Sequence, residues 1–228
     1  MNRRESEIIG LIRKEVKPAL GCTEPIAVAL AVAKAVEILD EKCGDCSEDW
    51  RMTTCFDILV EVSGNILKNG MGVGIPGTGM VGLHIASALG AVCGKTEYGL
   101  EVLHELNEAA IARAKSLVAD GKVCVRLADT PHKLYVKASV KAKEGHSASA
   151  LVEDDHDNIV ETWYDNSLLA RNSCSGTGEE EQGRSTLDYH LTVKEILEFA
   201  GSVDYNDIRF ILESRDMNLA LARKGLES

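Results

Sequence analysis

A chain of 228 residues is long for one domain and short for two, so a single core with an appendage is the expected plan. Hydrophobic residues make up 45% and charged residues 27%, with 20 Gly and 4 Pro, a globular balance that excludes collagen-like and disordered readings. The formal charge of −11 leaves no general basic surface, so neither nucleic acid nor a membrane is expected as a partner.

Seven cysteines without disulfide-style spacing follow a charged amphipathic N-terminus that has no apolar signal core, which points to reduced thiols in a cytoplasmic protein. Ile8, Ile12, Val16 and Leu20 recur every four residues, predicting an amphipathic helix over residues 4–16 that Pro18 stops. In Gly21-Cys22-Thr23-Glu24-Pro25, Thr23 suits an N-cap, Glu24 the positive end of a helix dipole, and Pro25 a first turn. A second helix should start there and run to about residue 39; residues 26–33 are all apolar, which marks it as a core helix.

Residues 53–62 read as a strand and 64–79 as a glycine-rich loop, with small-residue helices over 77–92 and 101–119. Residues 69–94 carry no charge, but their glycines, Pro76 and His84 leave too short a helix to cross a bilayer. Segments 122–128, 133–143, 147–153 and 159–164 alternate between turn signals and predict an antiparallel meander. Residues 172–184 read as a polar linker, 192–200 and 204–224 as helices, the last stopped by Gly225.

Gly72, Gly74 and Gly77 spell G-x-G-x-x-G with Glu97 beyond, but about ten residues separate them from the strand, where a dinucleotide site needs a tight strand-to-helix turn. LGAVCGKT at 89–96 lacks the first glycine of a P-loop. Two readings of 70–79 stay open: backbone N–H groups and the Thr78 hydroxyl holding a carboxylate at a helix start, or glycines that permit tight packing. Cys22 stands where a helix dipole and unpaired first-turn N–H groups would stabilise a thiolate, the alternative being a small buried hydrophobe. Cys43-Gly44-Asp45-Cys46 is a lone C-x-x-C without two further ligands at zinc spacing, and Cys55, Cys93, Cys124 and Cys174 are scattered. His146 and His156 stand at strand ends, where a side chain can face a cleft.

Residues 16–25 (VKPALGCTEP), 69–79 (NGMGVGIPGTG), Asp129-Thr130-Pro131, Gly145-His146-Ser147-Ala148 and His156-Asp157-Asn158-Ile159 together resemble, in order, the L-cysteine desulfidase family, itself similar to the alpha chain of iron–sulfur L-serine dehydratases. The resemblance implies a [4Fe–4S] cluster and β-elimination of a small amino acid, L-cysteine giving pyruvate, ammonia and sulfide. By the matching motifs it implies Cys22 as the base or cluster-proximal thiol, and Thr23, Glu24, Asn69, Gly77, Thr78, Gly79 and His146 as substrate-binding candidates. The family's three cluster cysteines would lie beyond Ser228, so the metal ligands in this chain are unknown and a second chain or a homo-oligomer is the expected partner.

The sequence thus leads to an α+β fold, a mostly antiparallel sheet packed on helices, with flanking helices of an incomplete helical domain. The expected divisions are N-terminal helices over 1–50, an α+β domain over 51–170, a linker over 171–190 and C-terminal helices over 191–228. The expected function is a β-eliminating lyase, inactive in this truncated form. A non-catalytic subunit that binds an amino acid or a partner chain, and a nucleotide-binding protein using Gly72–Gly79, are the alternatives.

Overall fold

The structure is a computed structural model that describes residues 2–19, 21–43, 50–53, 57–142, 145–172 and 191–227. It divides into two compact units, Ala19–Gly176 and Met1–Pro18 with Thr177–Ser228. Cys46, Cys55, Cys174, the side chain of Cys43 and residues 173–190 of the expected linker lie outside the described portion.

The first unit is built on a six-stranded sheet of β1 (Asp57–Val62), β4 (Val123–Leu127), β5 (Tyr135–Lys141), β6 (Ser147–Glu153), β7 (Ile159–Tyr164) and β8 (Ser167–Arg171). Their order is β4-β1-β5-β6-β7-β8, and only β1 and β4 are parallel. The α+β class with a mostly antiparallel sheet is therefore observed. The expected meander begins one strand later than the sequence suggests, because β4 crosses to the far side of β1 instead of pairing with β5. A further strand, β8, follows a two-residue turn at Asp165-Asn166, where φ is 44° and 65°; that positive-φ pair is the turn chemistry of a tight hairpin.

Alternation writes the core into the strands. Val60, Ala138, Ala150 and Thr162 stand opposite one another across four strands and are all buried. Against this face lies α2 (Thr23–Cys43), whose residues 26–33 are at most 2% exposed, as an all-apolar run requires. α5 (Leu83–Cys93) crosses α2 closely because Gly90 and Gly94 have no side chain: a Cβ at Gly90 would overlap the Ala29 backbone, and one at Gly94 would lie 2.7 Å from the Ala33 methyl. LGAVCGKT is thus a helix-packing sequence. The few polar positions on α2 are used: Glu37 caps Thr96 through its backbone N–H at 2.8 Å and its hydroxyl at 2.6 Å, and Asp40 pairs with Arg51 of the short helix α3 (Trp50–Thr53).

Between β1 and β4 the chain differs from the expected glycine-rich loop and helix. Residues Gly64–Gly70 form the short helix α4, and Gly74–Ile75 (β2) pairs with Met80–Val81 (β3) as a small hairpin; α5 starts only at Leu83. Gly82 ends the hairpin at φ 95°, and a Cβ there would sit 2.8 Å from the Met71 carbonyl. The expected 101–119 helix is a 3-10 turn at Thr96–Glu101 followed by α6 (Glu108–Ala119), capped by Asn107.

The second unit holds α1 (Arg3–Glu15), α7 (Val193–Ser202), α8 (Tyr205–Ile208) and α9 (Ile211–Glu227). Asn2 with Glu5 and Thr192 with Glu195 form capping boxes at the starts of α1 and α7. α9 runs through Gly225 rather than stopping there. Among the described residues no helix is long and apolar enough to cross a membrane.

Candidate functional site

The site is assembled at the start of α2. The helix begins at Thr23, so Cys22 rather than Thr23 occupies the position just before it, with Gly21 at φ 89° turning the chain into place. The Cys22 thiol donates to Glu24 Oε2 at 2.8 Å, and the Asn69 amide, from the end of α4, donates to Glu24 Oε1 at 3.0 Å. Three predicted candidates from two motifs 45 residues apart therefore form one hydrogen-bonded chain centred on a carboxylate.

Its electrostatics reverse the thiolate expectation. Burial, and then the hydrogen bond to Glu24, hold the Cys22 thiol above its ordinary pKa, outweighing the backbone N–H groups of Glu24 and Thr23 that favour the anion. Glu24 is held below the usual carboxylate range, first by the Cys22 thiol and further by Asn69 and by the charge of His156. At neutral pH the resting pair is a protonated thiol against an ionised carboxylate.

A narrow, largely apolar pocket joins Cys22, Pro25 and Ile26 to Val73, Gly74, Ile75 and Pro76, with Ala86 and Leu103 completing the wall. The start of α2 and the β2–β3 hairpin thus share one pocket, but the predicted contributors on the hairpin do different work. Thr78 is 1% exposed and its hydroxyl pins the turn, donating to the Ile75 carbonyl at 2.7 Å and accepting from the Met80 N–H at 3.0 Å. It is not at a helix start, and its capacity is spent inside the hairpin. Gly77 (φ 75°) turns the hairpin against Ile111, where an added Cβ would lie 3.5 Å from Cδ1, and Gly79 supplies a second left-handed residue at φ 65°. Because Gly72, Gly74 and Gly77 belong to a hairpin and its approach, the strand–turn–helix of a dinucleotide site is not formed.

His146 lies apart from this group. It precedes β6, whereas His156 follows that strand, and seven residues of strand separate the two ends by about 20 Å. His156 is the histidine whose charge reaches Glu24. His146 instead donates from Nδ1 to the Asp165 carboxylate at 2.8 Å, holding it below the ordinary aspartate range, and it stacks on Tyr164 at 5.6 Å. A strand length between Gly145-His146 and His156-Asp157 is the signal in the sequence that separates them.

At the His156 end of β6, His132 stands between Glu153 (3.5 Å) and Asp154 (3.4 Å). Among the described residues this is the group of His, Cys, Asp and Glu whose ligand atoms come close enough together to share an ion. The sequence analysis did not single it out, since His132 is 21 residues from Glu153 and only the pairing of β5 with β6 brings Tyr135 opposite Glu153. The described sulfurs are Cys22 before α2, Cys93 at the end of α5 and Cys124 on β4; they form no such group. A [4Fe–4S] cluster is held by several cysteine thiolates converging on it, and the described cysteines do not converge, so this donor set does not fit that cluster. Cys93 is unsuited on its own account, its thiol pushed up to about 11 by burial.

Comparison with known proteins gives matches along almost the whole chain. It is 42% identical over 223 residues to a UPF0597 protein of Bacteroides fragilis, covering 97% of this chain and 48% of that protein. Over 218 residues it is 43% identical to the UPF0597 protein YhaM of Escherichia coli O157:H7, covering 94% of this chain and 47% of the relative. A UPF0597 protein of Dichelobacter nodosus is 38% identical over 224 residues, with 98% and 48% covered. No family model matches, and no solved structure matches. The chain is similar to UPF0597 proteins and spans about half the length of these curated relatives.

Proposed function

We propose that this chain carries the proton-transfer side of an amino-acid β-eliminating site, with L-cysteine as substrate and pyruvate, ammonia and sulfide as products. The observation that carries the reading is the Cys22–Glu24–Asn69 chain, whose Cys22 end lines the pocket beside Gly74–Pro76. Elimination needs an acceptor for the Cα proton and a donor for the departing sulfide, and a thiol and a carboxylate one hydrogen bond apart supply both.

The proton balance closes within the pair. As the Cα proton moves to Cys22 Sγ, the thiol proton passes to Glu24; the Cβ–S bond breaks, and Glu24 returns its proton to the sulfide. Cys22 ends as a thiol and Glu24 as a carboxylate, as they began. The aminoacrylate left behind tautomerises and is hydrolysed by water to pyruvate and ammonia. Because the thiol is held up and the carboxylate down, separate transfer between them is uphill, which favours moving the two protons together. Asn69 keeps Glu24 aimed at the sulfur by occupying its other oxygen.

L-cysteine should raise the melting temperature of the 228-residue chain more than L-serine or L-alanine does, and Glu24→Gln should abolish that rise. In an anaerobic assay with and without iron and sulfide, Cys22→Ser should cut any pyruvate formation at least 100-fold while preserving the L-cysteine shift. Unchanged turnover in Cys22→Ser would overturn the assignment of Cys22. Stabilisation by L-cysteine with no turnover under any condition would favour the amino-acid-binding subunit instead.

A further inference from the structure

In the unit formed by Met1–Pro18 and Thr177–Ser228, the apolar side chains face the wrong way for a finished domain. Among its described residues only Ile8 and Ile9 are buried hydrophobics, whereas Val193, Ile196, Leu197, Met217, Leu221 and Leu226 are 50–89% exposed. On α7, Val193, Ile196, Leu197 and Ala200 recur at i, i+3, i+4 and i+7, a single stripe along one side. The opposite side of the helix is already occupied: Glu195 pairs with Arg4 at 3.0 Å, and Phe199 lines a cleft with Ile8 of α1. The exposed stripe is therefore a second packing face. Met217 and Leu221, four residues apart, repeat the pattern on α9.

Large apolar side chains concentrated on helices with almost no core of their own mark a surface that another polypeptide covers. The relatives show what accompanies this region: the match takes in 97% of this chain but 48% of the Bacteroides protein, so a stretch of similar length travels with it there. We infer that the apolar stripes of α7 and α9 are the seat for that stretch, a segment presenting an apolar helical face that completes the helical unit. A second copy of this chain is the poorer occupant, since each copy carries a formal charge of −11 and like net charges oppose self-association.

The test is to mix the 228-residue chain with the portion of the Bacteroides fragilis protein outside the matched region. Light scattering after size exclusion reads the stoichiometry, and amide exchange reads the contact surface. The expected result is a one-to-one complex in which residues 193–226 gain at least tenfold protection, with association weakened at least tenfold by Leu197→Glu and by Leu221→Glu. Circular dichroism of the free variants, unchanged from the parent chain, would show that these exposed substitutions leave the fold intact. No complex, a complex whose protection falls outside 193–226, or a homodimer that buries 193–226 would each overturn the inference.

Discussion

At the scale of single residues, environment decides chemistry more than residue type does. Cys22 stands before a helix, the setting that usually yields a thiolate, yet burial and the Glu24 carboxylate keep it protonated. Its alkylation rate should therefore keep rising past about pH 10, where an ordinary thiol has levelled off. Glu24→Gln removes the carboxylate charge that raises the thiol, so Cys22 should then react several-fold faster with iodoacetamide at pH 8, as peptide mapping by mass spectrometry would show. Cys93, raised to about 11 by burial, should be the slowest of Cys22, Cys93 and Cys124 in the same experiment, and the exposed Cys124 the fastest. For Glu24 the sign runs the other way: its folded pKa is depressed, so the stability it confers is present above the ordinary carboxylate range. That stability is lost as pH falls through the lower folded value.

At the scale of elements, the glycine-rich stretch divides into pieces with separate tasks. Gly77 and Gly79 make a hairpin turn, Gly82 passes the Met71 carbonyl, and Gly90 and Gly94 let α5 meet α2. Gly90→Ala should destabilise the protein by about 1–3 kcal/mol in urea unfolding, because a methyl group has to displace backbone rather than a side-chain tip. Thr78→Val keeps the volume and removes the hydroxyl that bridges Ile75 and Met80, taking from the part-buried Met80 N–H its hydroxyl acceptor. A loss of about 1–3 kcal/mol is expected there as well, and thermal unfolding would measure it.

At the scale of the whole molecule, burial is divided unequally. The core cluster runs from Ile26 to Val152 and lies in the unit Ala19–Gly176, while among the described residues of the helical unit only the hydrophobics Ile8 and Ile9 are buried. Heat should accordingly remove helical ellipticity in two steps, the α1, α7–α9 signal first and the α2–α5–sheet signal later. A single transition detected identically by far-ultraviolet dichroism and by tryptophan fluorescence would contradict that division, since Trp50 and Trp163 both lie in the unit Ala19–Gly176.

What the sequence by itself determined was whatever rests on local periodicity: the apolar run that buries α2 and the alternation in β5, β6 and β7; it was the resemblance to a family motif that put Cys22, Glu24 and Asn69 among the site candidates. Partnership across space was beyond it. β4 and β5 look alike in alternation, and only the layout of the sheet makes β4 a parallel neighbour of β1. Thr78 and Asn69 are both polar residues flanking glycines; folding spends the hydroxyl of Thr78 inside a hairpin and sends the Asn69 amide to Glu24. His146 and His156 both stand at strand ends, and the strand between them puts only the second where its charge reaches Glu24. Periodicity is a property of neighbours along the chain. Hydrogen-bond partners, desolvation and the proton on Cys22 depend on what other segments bring to it, and those are fixed only when the core closes.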